Sequence, residues 1–203
     1  MIDGRPGKLF EAPCAPYRAT GAAGTMQPMR VSPASLVLLS IVAGCSAPGS
    51  AASSGAVLAE QVQRDVDLCV RAVYRGDVDT VLRFTHPMIL EKLGGLDRVR
   101  ADMEPIARQA VARKMSVESL TFPRSPDILQ AGARRFAIVP TLIVIRAGDE
   151  RMESLNYQLG VLEPDASGWK YVEGSRINSE NVRDLFPDFP AGYQFPTIYR
   201  KKL

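Results

Sequence analysis

From Leu58 onward the apolar positions Leu58, Val62, Val66, Cys69 and Val73 recur at steps of four and three, the spacing that lays one stripe along an α-helix. The pattern predicts a helix that ends near Gly76. Asp77 is placed to cap a second, short helix whose inner face is Val78, Val81 and Leu82, and His86-Pro87 closes it. Pro87 opens another helical turn through Met88, Ile89 and Leu90 before Gly94-Gly95 breaks it. Leu96, Val99, Met103, Ile106 and Ala110 then predict a longer helix to about Lys114, with Pro105 as a kink site.

The period changes in the second half. Val117 to Phe122, Arg135 to Arg146, Met152 to Leu162 and Trp169 to Ile177 are rich in β-branched and aromatic residues and bounded by turn residues, so they predict strands. Ala147-Gly148-Asp149 and Pro164 to Gly168 read as hairpin connections. Pro140 inside the second of these runs predicts a bulge or an edge position. Ser179 is placed to cap a last short helix through Phe186, after which Pro187, Pro190, Gly192 and Pro196 exclude regular structure. Residues 179–203 still carry Phe189, Tyr193, Phe195, Ile198 and Tyr199, so this tail is expected to pack along the domain.

Ahead of the helices the grammar is different. Met29-Arg30 precedes an apolar run, Val31 to Gly44, that is shorter than the roughly 20 residues needed to span a bilayer core. A charged start, an apolar middle and small residues before a cysteine have the form of an export signal. Val42-Ala43-Gly44-Cys45 resembles the lipobox of bacterial lipoproteins, which implies acylation of Cys45 and cleavage before it. Residues 29–44 are then a lipoprotein signal peptide, and residues 1–28 are expected to be disordered or a mis-assigned start, since Met26 and Met29 follow them. Residues 45–56, small and uncharged, read as a flexible tether. By the same resemblance the protein is expected at the bacterial cell envelope, outside the cytoplasm, and Ser46 after the cysteine points to the outer membrane facing the periplasm.

Composition narrows the partners. Of 25 Lys and Arg against 22 Asp and Glu, Arg5, Lys8, Arg18 and Arg30 precede Cys45, so the rest of the chain is close to neutral. Its only local basic run is Arg200-Lys201-Lys202, which argues against nucleic acid as a partner. Three scattered cysteines, Cys14, Cys45 and Cys69, make neither a disulfide framework nor a zinc site. A single histidine and the absence of phosphate-loop or paired-cysteine motifs lead us to expect no metal and no cofactor.

Helices first, Gly76-Asp77 between the first two, His86-Pro87, Gly94-Gly95 before a longer helix, then an antiparallel sheet ending in Tyr171 to Ile177: this order resembles the NTF2-like, SnoaL-like superfamily. The resemblance covers residues 57–178. It implies an α+β fold in which N-terminal helices pack on a curved, cone-like antiparallel sheet of about four strands, whose open end is a pocket. That pocket is catalytic in some members and only binds ligands or partners in others.

Candidate chemistry follows from residue type. His86, the only side chain whose ordinary pKa lies near neutrality, is a candidate general base, although His-Pro also serves as loop punctuation. Asp77 is a candidate acid or base and equally an N-cap. Tyr157 shares a strand face with Leu155 and Leu159, which makes it either core or a pocket hydroxyl. Glu173 and Arg176 are candidate ligand-binding residues on the last strand. Cys69 lies on a helical apolar stripe with no adjacent base, so it reads as a small buried hydrophobe. The leading expectation is a lipid-anchored, non-catalytic envelope domain that binds a small apolar ligand or an envelope protein. The alternative is a SnoaL-like hydrolase, dehydratase or isomerase using His86 with Asp77 or Tyr157. A third reading is a homodimeric module paired through an exposed sheet face.

Overall fold

The structure is a computed structural model that describes residues 50–203, with side chains from residue 55. The export segment, Cys14 and Cys45 lie outside the described residues. Four helices come first: α1 (Ser50–Arg75), α2 (Val78–Phe84), α3 (Pro87–Lys92) and α4 (Leu96–Ala112). Strands β1 (Ser116–Thr121), β2 (Asp127–Ala131), β3 (Arg134–Ala147), β4 (Glu150–Leu162) and β5 (Lys170–Glu173) follow. A 3₁₀ turn at residues 174–176, helix α5 (Val182–Leu185) and strand β6 (Tyr199–Lys202) complete the chain.

Helix α1 begins inside the stretch 45–56 that reads as a tether, with residues 50–56 helical. Ala51, Ala52 and Ala56 are the strongest helix formers, and adding them to a helix nucleated by its packed portion costs little. The apolar stripe is also turned from the expected one. Val62, Val66 and Val70 are buried, whereas Val73 is 42% exposed. In α4, Val99 and Ala110 face inward with Met103 and Ala107 beside them, while Ile106 and Leu96 face out. Cluster Val78, Leu82 and Val99 thereby joins α2 to α4.

The sheet has six antiparallel strands rather than about four. At its centre is the long β3–β4 hairpin, paired without interruption from Arg135↔Leu162 to Ala147↔Glu150 and turned by Gly148 at φ +61°. β2 flanks the first half of β3 and β1 the second; β6 flanks the first half of β4 and β5 the second. The two extra strands carried weak signals. β2 is five residues between Pro126 and Gly132, and β6 is Tyr-Arg-Lys-Lys with every residue exposed.

Pro140 is neither in a bulge of the hairpin nor on an outer strand. It pairs with Tyr157 in central β3, at the level where β2 has ended (Asp127↔Ile138) and β1 has not begun (Thr121↔Leu142). A strand lacking one N–H is tolerated there because no neighbour needs it on that flank. The bulge lies instead in β1, where the register shifts between Val117 and Ser119 and frees Glu118 to receive Arg146 and Arg151.

Alternation along β3 sorts two cores. Ala137, Val139, Ile143 and Ile145 pack with Trp169, Tyr171 and Val62, Val66 and Val70 of α1, on what we call the helix face. Phe136 and Ile138 pack with Tyr157, Leu159, Val161 and Val172 on the opposite face. That face is covered by Ile89 of α3 and by Ile177, Val182, Phe186 and Phe189, so the C-terminal segment supplies the second covering layer. Tyr193 and Phe195 continue it, with Phe195 stacked on Tyr157 at 5.2 Å, whereas Ile198 and Tyr199 are exposed. Asn178, not Ser179, organises the approach to α5: its Oδ1 accepts from Glu180 N–H and Asn181 N–H, and the helix starts only at Val182.

Candidate functional site

The helix face becomes polar toward the β5 and β6 side. Ser154 and Asn156 oppose Ile143 and Thr141 in β3, and Glu173 opposes Gln158, itself opposite Val139, so all of these share the face that α1 covers. At the level of Asn156 and Tyr157, β4 has passed the end of β6 (Leu155↔Tyr199) and has not reached β5 (Gln158↔Glu173). The Tyr157 N–H in this gap is taken by Asn156 Oδ1 at 2.8 Å, and Asn156 Nδ2 donates to Glu173 Oε1 at 3.2 Å. Glu173 Oε2 lies 3.9 Å from Arg176 Nε, the two side chains being 38% and 33% exposed. The phenol of Tyr74, from the end of α1, is pushed up to about 12 by burial first, with Arg200 drawing it down and Glu173 raising it. Arg200 stands opposite Ser154 on β6.

Tyr74, Asn156, Glu173 and Arg176 therefore form a half-buried patch of donors and acceptors. Glu173 and Arg176, named from the sequence, are brought together; Tyr74 and Asn156 were not anticipated. An asparagine in the interior of a strand was the available signal, since asparagine is disfavoured in strands unless its amide has work to do.

The residues nominated for proton transfer do not converge in this way. Asp77 is an exposed N-cap: Thr80 N–H donates to its Oδ1 at 3.1 Å, and the bonds from Thr80 hold its carboxyl below the usual range. Tyr157 is on the opposite face, 1% exposed, with its hydroxyl donating to the Ile177 carbonyl. Burial pushes it up to about 12, with Tyr193 adding to the rise. His86 is 4% exposed and caps α3, its Nδ1 accepting from Met88 N–H at 3.3 Å. Its backbone N–H donates to Tyr171 O, and its ring meets Phe186 edge-on at 5.2 Å.

The carboxylate beside His86 is Glu163, not Asp77. Nε2 lies 3.5 Å from Glu163 Oε1, which attracts without closing a hydrogen bond, so Nε2 has no hydrogen-bond partner among the described residues. Glu163 also accepts from Arg134 Nε at 2.9 Å, and Arg134 reaches Asp188 at 2.5 Å. Burial dominates and lowers the pKa of His86 below its ordinary 6.5, against a raising effect of Glu163.

Cys69 is half-buried and not in a disulfide; burial, with Asp65 adding to it, pushes its thiol up to about 11, the opposite of nucleophile activation. Among the described residues no group of three metal-ligating side chains is assembled, and no helix is long and apolar enough to cross a membrane.

Fold and patch together define an α+β domain with a six-stranded antiparallel sheet covered by α1 on one face and by its own C-terminal segment on the other. Comparison of the chain with family models, with curated proteins and with solved structures gives no match.

Proposed function

We propose that this chain is a non-catalytic binding domain of the NTF2-like kind, held at the cell envelope through a lipid on Cys45, and that the Tyr74, Asn156, Glu173 and Arg176 patch receives a protein partner. One observation carries the reading. Asp77 spends its carboxylate on a cap and Tyr157 its hydroxyl on a backbone carbonyl, and His86 is buried with Nδ1 in a cap and Nε2 turned to Glu163, while Glu173 and Arg176 meet with their side chains about a third exposed.

An envelope protein suits the patch better than a small apolar ligand does, because a carboxylate, a guanidinium and an amide bind polar groups and lose hydration unfavourably against hydrocarbon. The enzymatic alternative loses support on geometry, since proton transfer requires its groups within reach of one substrate atom. Asp77 is exposed at the start of α2, and the hydroxyl of Tyr157 is engaged by Ile177 on the face that the C-terminal segment covers. The anchor rests on Val42-Ala43-Gly44-Cys45 in the sequence.

A photo-crosslinking residue placed at exposed Ser175, beside Arg176, compared with one at Thr80 beside the Asp77 cap, tests the binding reading. A single identified envelope protein captured from position 175 and not from 80 supports it. Equal capture at both positions, or turnover of a substrate that depends on His86, overturns it. Replacing Cys45 with serine tests the anchor separately, with release from the membrane fraction or an unprocessed precursor as the expected result.

A further inference from the structure

We infer that His86 is an acid-sensitive latch: protonation of its imidazole frees the start of α3 and, through Glu163 and Arg134, loosens the C-terminal segment from the sheet. The inference is independent of the binding reading and rests on four elements meeting at one buried ring. From α3 comes the cap, Nδ1 accepting from Met88 N–H. From the end of β4 comes Glu163, from the start of β3 Arg134, and from the C-terminal segment Phe186 and Asp188. Lys170 of β5 adds a further positive charge within electrostatic reach.

With Nδ1 accepting a hydrogen bond, the neutral ring carries its proton on Nε2, facing Glu163. A second proton must go onto Nδ1, where it meets the Met88 N–H donor to donor, and the cap bond is lost. Glu163 favours the imidazolium, but burial, Arg134 and Lys170 oppose it, and burial is the largest of these influences. Any movement of Glu163 toward the charged ring is taken from Arg134. That guanidinium also holds Asp188 and lies over the Phe186 ring at 5.8 Å from its centroid, so the disturbance reaches the segment covering the sheet. The apolar sheet face beneath includes Phe136, Ile138 and Leu159.

Hydrogen exchange of the full chain tests this, following peptides over residues 87–92 and 182–195 at about pH 7.5 and about pH 5, corrected for intrinsic exchange rates. His86→Asn retains a strong N-cap acceptor and does not titrate. We expect acidification to lower wild-type protection in both segments by at least about threefold more than it lowers that of His86→Asn, since only the wild type takes up the proton that costs the cap. Equal losses in the two proteins, or no loss in the wild type, overturn the latch. The imidazole resonances of the wild-type protein provide a reading that needs no variant: a titration midpoint below 6.5 is expected, and one at or above it overturns the proposal.

Discussion

A β-carbon built on Gly174 would stand 2.5 Å from the carbonyl oxygen of Tyr157 and 2.8 Å from its ring. The chain at the end of β5 thus runs directly against β4 at the point where strand pairing passes from β6 to β5, and only a residue without a side chain fits. The same close approach aligns the Tyr157 hydroxyl with Ile177 O.

Gly174→Ala should therefore destabilise the domain by about 1–3 kcal/mol, the usual cost of overpacking against rigid neighbours. Gly160→Ala should cost less, because its nearest obstacles are side-chain atoms at 3.0 Å or more, on Tyr171, Trp169 and Ala137. Urea midpoints at unchanged slope check this order. A larger loss for Gly160→Ala would mean that the Gly174 contact is easily relieved.

Phe189 is 2% exposed, with the rings of Phe136, Phe195 and Tyr193 at 4.9, 5.5 and 5.8 Å. Truncation to alanine should cost about 3–5 kcal/mol, as for other buried aromatics, whereas Val73→Ala on the exposed side of α1 should cost under about 0.5 kcal/mol. A small effect at Phe189 in chemical denaturation would show that the C-terminal segment is not a structural layer.

Cys69 should react slowly with a thiol reagent. With its thiol at about 11 against an ordinary 9.0, the thiolate fraction at pH 8 falls about a hundredfold. The folded state binds this proton more tightly than the unfolded chain does, so the contribution to stability is whole below pH 9.0 and is lost as pH rises toward 11. Modification kinetics near those of an unfolded control would contradict both statements.

Glu173→Ala and Arg176→Ala should each change stability by less than about 1 kcal/mol, since the pair is more than a third exposed at Glu173 and solvent screens it. Each should nevertheless abolish the partner adduct expected from a crosslinking residue at position 175. Thermal denaturation and crosslinking of the same preparations separate the two effects; a large loss of stability would assign Glu173 to the fold through Asn156.

Much of the architecture was legible because it rests on local periodicity. The run from Arg135 to Arg146 announced a strand, Ala147-Gly148-Asp149 announced its hairpin, and Gly76, Gly94 and Gly95 marked helix ends that the backbone closes with positive φ. β2 and β6 were missed because a short strand has no period to read, and it forms only where a longer neighbour offers a free flank. The rotation of the α1 stripe, Val70 in place of Val73, was equally beyond local reading. Both residues continue an apolar spacing, and only the position of the sheet and of α4 chooses between them.

The sequence by itself determined the α+β order, the hairpin and the Asp77 cap, since Asp77 acts on a backbone group three residues away. Only the tertiary structure decided the company these residues keep. His86 meets Glu163 and Arg134, and Asn156 meets Glu173, because the β3–β4 register and the β5 flank bring distant segments together. Such pairings depend on how far one strand slides past another, a quantity set by packing on both sheet faces at once and not by any single stretch of residues.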